Sequence, residues 1–238
     1  MIGFRAGLAT CTAIAILAGC AVPAMSPGGS DGPAVAAPTP RVGDRWVYRG
    51  KDGYRVAILW EEVHEVTAVS PQGITVRITG KGNTGDFERT ETWLAPGVVA
   101  TGAVYESETS RFDPALIRWK YPMTPGKSWH QSLRDLDKPR GAYGPIQRHV
   151  TVGGYESVTT PAGTYDALRI RIFTQLDDET FWRYPTQANY LAWYAPAVGA
   201  MVREEQRSYY REKDGRDSAT VPGQNATIEL VSFTPGAR

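Results

Sequence analysis

The sequence contains little cysteine and little histidine, two side chains that commonly bind zinc. Its 238 residues include two cysteines and three histidines. None of the histidines (His64, His130 and His149) stands in an H-x-x-x-H, H-E-x-x-H or H-x-H arrangement. A zinc site would therefore need residues from distant parts of the chain. We expect neither a metal nor another cofactor.

Catalytic motifs are also missing. The chain has no G-x-S-x-G elbow, no S-x-x-K motif and no Walker loop. Residues 80–86 read GKGNTGD, but this stretch lacks the Gly-Lys-Ser/Thr ending of a phosphate loop, and no predicted helix follows it. The acidic residues 177–179 fall in a predicted loop and are typical of a solvated surface. We expect no catalytic residues and no enzyme.

An excess of one charge sign is absent as well. The 26 lysines and arginines are matched by 25 aspartates and glutamates. A nucleic-acid-binding protein concentrates basic residues on one face. We therefore expect no nucleic-acid partner.

Long apolar runs are missing too. The run at residues 6–18 is too short to span a bilayer comfortably, and with Arg5 before it the stretch has the proportions of a secretory signal. It leads into Leu-Ala-Gly-Cys at residues 17–20, which resembles the lipobox of bacterial lipoprotein precursors. The resemblance implies a signal peptide at 1–19 and acylation of Cys20 after cleavage. The lipid bilayer would then be a partner through the acylated Cys20.

The segment after the lipobox is low in charge and in large apolar residues. Residues 21–40 are mostly proline, glycine, alanine and serine, so they bury too little surface to fold alone. We expect residues 20–40 to form the lipidated cysteine and a flexible linker. Residue 21 is alanine. In Gram-negative lipoproteins, an aspartate at this position resembles a signal that retains the protein in the inner membrane. Its absence favours the outer membrane, with the protein facing the periplasm.

The remainder, 41–238, alternates apolar and polar residues with a period of two. Ile74, Val76 and Ile78 alternate with polar residues, and so do Leu168 and Ile170. Such alternation is typical of strands with one buried face. Turn signals such as Pro-Gln-Gly at 71–73 and Pro-Ala-Gly at 161–163 separate the runs. We expect a mainly β domain, with an antiparallel curved sheet, an open half-barrel or a sandwich.

Two stretches of the chain read almost alike. Residues 92–104 are TWLAPGVVATGAV, and residues 191–202 are LAWYAPAVGAMV. Two further pairs of similar phrases occur in the same order. We expect an internal repeat of residues 42–104 and 125–202, in which Trp93 and Trp193 are equivalent.

Three phrases carry a second resemblance. They are YPMTPGKSW at 121–129, TPAGTYDALRIRI at 160–172 and WYAPAVGAMVREE at 193–205. They resemble an uncharacterised group of β-rich periplasmic and outer-membrane proteins, and the group is similar in architecture to the half-barrel carriers LolA and LolB. The resemblance implies no catalytic residues.

Two functions remain open at this point. The protein could be an interaction or structural module on the membrane, or a carrier or sensor that binds an apolar ligand such as a lipid in a β groove. An unfilled interior would favour the carrier, and a filled core would favour the module. If there is a groove, we expect its lining to consist of Trp60, Ile78, Leu168, Ile170 and Trp193. Phe181 and Trp182 would form a lid over it. Arg183 at the rim would bind an acidic headgroup of the ligand.

Overall fold

The computed structural model describes residues 31–55, 58–83, 85–106, 108–138, 144–177, 180–213 and 219–237. The predicted signal peptide 1–19, Cys20 and the first part of the predicted linker lie outside the described residues. Within those ranges, no helix has the length and apolarity needed to cross a membrane.

The described residues form twelve strands, each antiparallel to its neighbours in sequence. The strands are β1 (Arg45–Asp52), β2 (Leu59–Ser70), β3 (Gly73–Gly82), β4 (Phe87–Ala95), β5 (Val98–Gly102), β6 (Ser110–Ile117), β7 (Ser128–Asp135), β8 (Ile146–Thr160), β9 (Gly163–Leu176), β10 (Thr186–Ala195), β11 (Ala200–Arg211) and β12 (Thr220–Thr234). The mainly β, antiparallel, curved sheet that the sequence predicts is confirmed.

The sheet closes into a barrel instead of ending in open edges. The first and last strands, β1 and β12, pair from Arg45 opposite Thr234 to Asp52 opposite Ala226. Closure satisfies the backbone donors and acceptors that an edge strand would expose. We call one end of the barrel the proximal end; it carries the turns at 71–72, 96–97, 161–162 and 196–199.

The two predicted Pro-x-Gly turns are hairpins at the proximal end. Gly73 and Gly163 begin β3 and β9 with φ angles of 140° and 131°. A Cβ atom at Gly73 would lie 2.4 Å from the carbonyl oxygen of Trp93. Glycine is required there because the backbone of the next strand approaches so closely.

The alternating runs place their apolar residues in the core, as predicted. Ile74, Val76 and Ile78 of β3 are 6%, 1% and 1% exposed. Leu168 and Ile170 of β9 are fully buried in a second cluster with residues of β7, β8 and β10. Both halves of the barrel wall are therefore closely packed.

The β8–β9 hairpin extends beyond the barrel wall and packs over its outside. Its turn reaches β12, where the Ala162 amide donates to the Leu230 carbonyl at 3.2 Å. Trp193 lies on the outer face under this hairpin, because its neighbours across the ladder are the outward residues Arg169 and Arg203. The Trp193 indole donates to a Glu156 carboxylate oxygen at 2.8 Å.

The predicted repeat matches the structure in strand order but not in every position. Trp93 and Trp193 lie in β4 and β10, the fourth strand of each half. Trp93 donates to Glu91, which faces the interior, whereas Trp193 faces outward. The two halves place these tryptophans on opposite sides of the wall, so the expected equivalence of Trp93 and Trp193 does not hold. The duplication itself stays a prediction.

Residues 31–40, which belong to the predicted linker, lie against the proximal end. Val35 exchanges two backbone hydrogen bonds with Met123, of 2.8 and 2.9 Å, and is 5% exposed. The Tyr155 hydroxyl donates to the Pro33 carbonyl at 2.8 Å. This part of the segment is held because its one branched apolar side chain inserts into the core.

Candidate functional site

The barrel interior contains a cavity of about 960 Å³. A barrel of about eight strands is just filled by its own side chains, and the diameter grows with strand number. Twelve strands therefore leave room for a ligand, and the volume is in the range of small-molecule sites. The apolar part of the lining includes Trp46, Val76, Val99, Leu116, Trp119, Ile172, Ile228 and Phe233.

Charged side chains also face this cavity. We call six of them the charged belt: Glu62, Arg89, Glu91, Arg118, Arg148 and Glu204. Among the described residues, the other charged ones of the lining are Arg41, Asp44, Asp52, Arg55 and Glu106. A buried charge is costly unless it is paired and hydrogen-bonded. The pairing within the belt is therefore informative about what the cavity holds.

Glu91 and Arg118 form a complete pair. The two terminal nitrogens of Arg118 donate to the two Glu91 oxygens at 2.8 and 2.9 Å, and the Trp93 indole adds a bond of 2.8 Å. Glu91 is 2% exposed. Burial alone would raise the pKa of Glu91, but the charge and hydrogen bonds of Arg118 outweigh it and lower that pKa to about 2.

Glu62 is supported from three sides. The Trp60 indole donates to it at 2.9 Å, the His64 Nε2 lies 3.1 Å away, and Arg89 lies at 3.9 Å. Burial favours the neutral acid, but His64 and Arg89 favour the carboxylate more strongly, so the pKa of Glu62 is lowered.

Within the described ranges, Arg148 and Glu204 have no ion-pair partner of this kind. Arg148 is 4% exposed, and one of its terminal nitrogens donates to the Ile117 carbonyl at 2.8 Å. No carboxylate of the described residues lies within ion-pairing distance of its guanidinium. Burial and the nearby charge of Arg118 lower the pKa of Arg148 to about 9. Glu204 accepts a 2.6 Å bond from Gln206, and burial raises its pKa.

Of the residues predicted to line a groove, Trp60 lines the cavity. Ile78, Leu168 and Ile170 are inside the wall and too closely packed to reach the free volume. Trp193 faces outward under the β8–β9 hairpin. These four side chains stabilise the barrel, and the cavity surface comes from other residues.

The predicted lid and rim residues lie in the loop between β9 and β10. Phe181 is 88% exposed and Trp182 is 41% exposed, and neither contributes to the cavity lining. Arg183 lies over the Tyr210 ring at 4.7 Å, on the same loop surface. Residues 182–184 pair with residues 211–213 at the end of β11, and none of these side chains lines the cavity.

The charged belt was missed in the sequence, although a signal for it exists. Arg148 has the same strand phase as the buried Ile146 and Val150, and Glu62 has the same phase as Trp60 and Val66. A charge in the apolar phase of an alternating strand indicates a polar group inside the barrel. No metal-binding cluster of histidine, cysteine, aspartate or glutamate occurs within the described ranges.

Comparison with known proteins gives a short family match. A family model described as DUF3108-like matches residues 145–221, which is about a third of the chain and runs from β8 to the start of β12. No curated protein matches the chain.

Two solved structures resemble the barrel at low identity. One is titled a "putative lipoprotein" from Parabacteroides distasonis, with 13% identity, 85% of this chain and 100% of that chain covered, and a TM-score of 0.45. The other is a "putative exported protein with YmcC-like fold" from Bacteroides fragilis, with 13% identity, 84% and 99% coverage, and a TM-score of 0.43.

Proposed function

We propose that this chain is a non-catalytic lipoprotein of the cell envelope whose barrel binds an amphipathic small molecule in its interior. The unfilled cavity of about 960 Å³ carries the proposal. Its apolar wall suits a hydrocarbon chain, since each buried methylene contributes about 0.8 kcal/mol. Its charged belt suits a polar headgroup.

The interior cavity favours a carrier or sensor over a purely structural module. An interaction module needs no free volume inside its core, and empty space lowers stability through lost packing contacts. The exposed loop residues Phe181, Trp182 and Tyr184 support a second candidate function, contact with a protein partner, because large apolar side chains exposed together mark interaction sites.

Ligand binding is tested with the chain from residue 21, which retains every residue that the structure describes, including all twelve strands of the closed barrel. Titration with N-phenyl-1-naphthylamine, a neutral apolar fluorophore, should give a saturable rise in fluorescence. Val76→Phe places a larger side chain into the cavity and should weaken binding about tenfold, equivalent to about 1.4 kcal/mol.

Val69→Phe is the matched control, because Val69 belongs to the same hairpin but is 46% exposed. It should bind the fluorophore like the unmodified chain. Thermal unfolding of each variant, recorded first, separates a filled cavity from a lost fold. A flat titration with the folded chain, or equal effects of the two substitutions, would refute the ligand-binding proposal.

Membrane anchoring is tested separately in the full-length chain. Cys20→Ser should leave an unprocessed precursor and abolish incorporation of labelled palmitate, because the thiol carries the lipid. Cys11→Ser, in the segment to be removed, should leave labelling unchanged. Palmitate incorporation into the Cys20→Ser chain would refute the anchor. We place the anchored protein in the outer membrane, facing the periplasm.

A further inference from the structure

We propose that Arg148 anchors an oxyanion site in the cavity, which binds a carboxylate or phosphate group of the ligand. The inference rests on the proposed function, since it names the chemistry of the headgroup that the cavity takes. An arginine is the side chain best suited to this task, because its planar guanidinium matches the two oxygens of either group.

The first argument is the unsatisfied state of a buried cation. Arg148 is 4% exposed and lines the cavity. A guanidinium has five N–H donors. One bond, to the Ile117 carbonyl, is made within the part of the chain that the structure describes. The donors left over are available to a ligand in the cavity.

The second argument is the contrast with Arg118 in the same cavity. Arg118 donates to both oxygens of Glu91, so its charge is already neutralised. Arg118 could bind another anion only if Glu91 were first displaced or protonated. Arg148 has no such internal competitor within ion-pairing distance among the described carboxylates.

The third argument is the polar lining around Arg148. Thr174 is its ladder partner on β9. Tyr190 of β10 and Gln206 of β11 pair with each other in the neighbouring row, two residues along the strands, where Tyr190 also pairs with Ile172. Thr174, Tyr190 and Gln206 all line the cavity. The Thr174 hydroxyl and the second N–H of the Gln206 amide can donate to further ligand oxygens, whereas the Tyr190 hydroxyl donates to Gln224. Glu204 would repel an oxyanion when ionised, and burial raises its pKa towards the neutral form.

The test compares ligands that differ in the headgroup alone. Displacement of N-phenyl-1-naphthylamine from the chain starting at residue 21 is measured with decyl phosphate, decanol and decyltrimethylammonium. Decyl phosphate should displace the probe at a concentration at least about tenfold lower than decanol, as expected for a charge-assisted hydrogen-bonded pair. Equal potency of decyl phosphate and decanol, or preference for the cationic amphiphile, would overturn the inference.

Two substitutions locate the site. Arg148→Met should remove the preference for decyl phosphate, whereas Arg207→Met, an exposed arginine of β11, should keep it. Thr174→Glu provides Arg148 with an internal carboxylate and should also remove the preference while the arginine remains. Retention of the preference in both the Arg148→Met and the Thr174→Glu variants would overturn the assignment.

Competition with inorganic phosphate separates two sources of the oxyanion. If inorganic phosphate blocks decyl phosphate at similar concentrations, the site takes a free oxyanion; if it does not, the site takes the headgroup of an amphiphile. Failure of the inference is distinguishable from failure of the proposed function. If the neutral fluorophore binds but the amphiphiles show no headgroup preference, the oxyanion site alone is refuted. If the fluorophore does not bind, both the oxyanion site and the ligand-binding function are refuted.

Discussion

Two buried arginines face one cavity in very different surroundings. Arg118 is held by both oxygens of Glu91, with Trp93 supporting the carboxylate from the other side. Among the described residues, Arg148, from the other half of the chain, makes one hydrogen bond, to the backbone carbonyl of Ile117. The first region is electrostatically complete without a ligand, and the second is not.

The difference separates structural charges from charges available for binding. A complete buried pair is expensive to break, because the remaining partner is left uncompensated in a low dielectric. A buried charge without a partner is costly to keep and is typical of functional sites. We therefore assign the Glu91 side of the belt to stability and the Arg148 side to ligand binding.

The largest expected effect is the loss of the complete pair. Glu91→Gln should lower the free energy of unfolding at pH 7 by about 3–5 kcal/mol, because it leaves Arg118 buried without its anion. Urea unfolding measures this change. Glu88→Gln, at an exposed position of the same strand, should change stability by less than about 0.5 kcal/mol. Similar results for the two variants would contradict the structural role of Glu91.

The same pair predicts a dependence on acid. The pKa of Glu91 is lowered to about 2 in the folded chain from its ordinary value of 4.5. Its stabilising contribution is therefore complete above pH 4.5 and lost as the pH falls towards 2. The stability difference between the unmodified chain and Glu91→Gln should shrink over that interval. A stability difference that stays constant between pH 5 and 2 would mean that the pairing with Arg118 does not keep Glu91 ionised.

On the Arg148 side of the charged belt, we expect a pH dependence of stability with the opposite sign. Burial raises the pKa of Glu204, so ionisation destabilises the folded chain as the pH rises. Glu204→Gln should increase the free energy of unfolding at pH 8 by about 1 kcal/mol, and the gain should disappear at low pH. Glu205→Gln, one residue further on the outer face, is the control. A destabilised Glu204→Gln chain at pH 8 would contradict the account.

Ligand affinity should follow the protonation of Glu204. Decyl sulfate, whose charge is constant, should bind the unmodified chain more tightly at low pH, where Glu204 is neutral, than at high pH, where it is ionised, and Glu204→Gln should bind it equally at both. Fluorophore displacement measures the two affinities. The same pH dependence in the Glu204→Gln variant would assign the effect to another group of the cavity. Within the described part of the chain, the other titratable or charged residues of the lining are Arg41, Asp44, Tyr48, Asp52, Arg55, Glu62, His64, Arg89, Glu91, Tyr105, Glu106, Arg118, Tyr121, Arg148 and Tyr190.

The smallest effect is expected from a charge pair on the surface. Arg134 donates to Asp113 at 2.7 Å, with both side chains about half exposed. Because water screens such a pair, Arg134→Gln should cost less than about 1 kcal/mol. Urea unfolding of Arg134→Gln and Glu91→Gln under the same conditions compares the free energy that a surface pair and an interior pair contribute. A cost as large as that of Glu91→Gln would show that burial is not the deciding variable.

The strands could be predicted from the sequence because their signal is local. Ile74, Val76 and Ile78 alternate with polar residues, and Gly73 and Gly163 mark the hairpins at which their strands begin. Closure could not be predicted in this way, because the pairing of β1 with β12 joins residues almost two hundred positions apart. Alternation shows which side chains face inward, and it does not show how many strands surround them.

The candidate site was harder to predict than the fold. Large apolar residues such as Leu168 and Ile170 were expected to line a groove, but tight packing removed them from the free surface. The charges that do line the cavity, such as Arg148, have the appearance of ordinary surface residues until the phase of the strand is considered. The outward position of Trp193 depends on the β8–β9 hairpin that covers it, and no local pattern indicates that contact.

The most direct test of the account is a crystal structure of the chain from residue 21 with decyl phosphate. We predict the decyl chain in the barrel interior against Ile172 and the other apolar wall residues, with phosphate oxygens within hydrogen-bond distance of the Arg148 guanidinium. A ligand bound on the outside of the barrel, or an interior phosphate on Arg118 with Glu91 displaced, would contradict it.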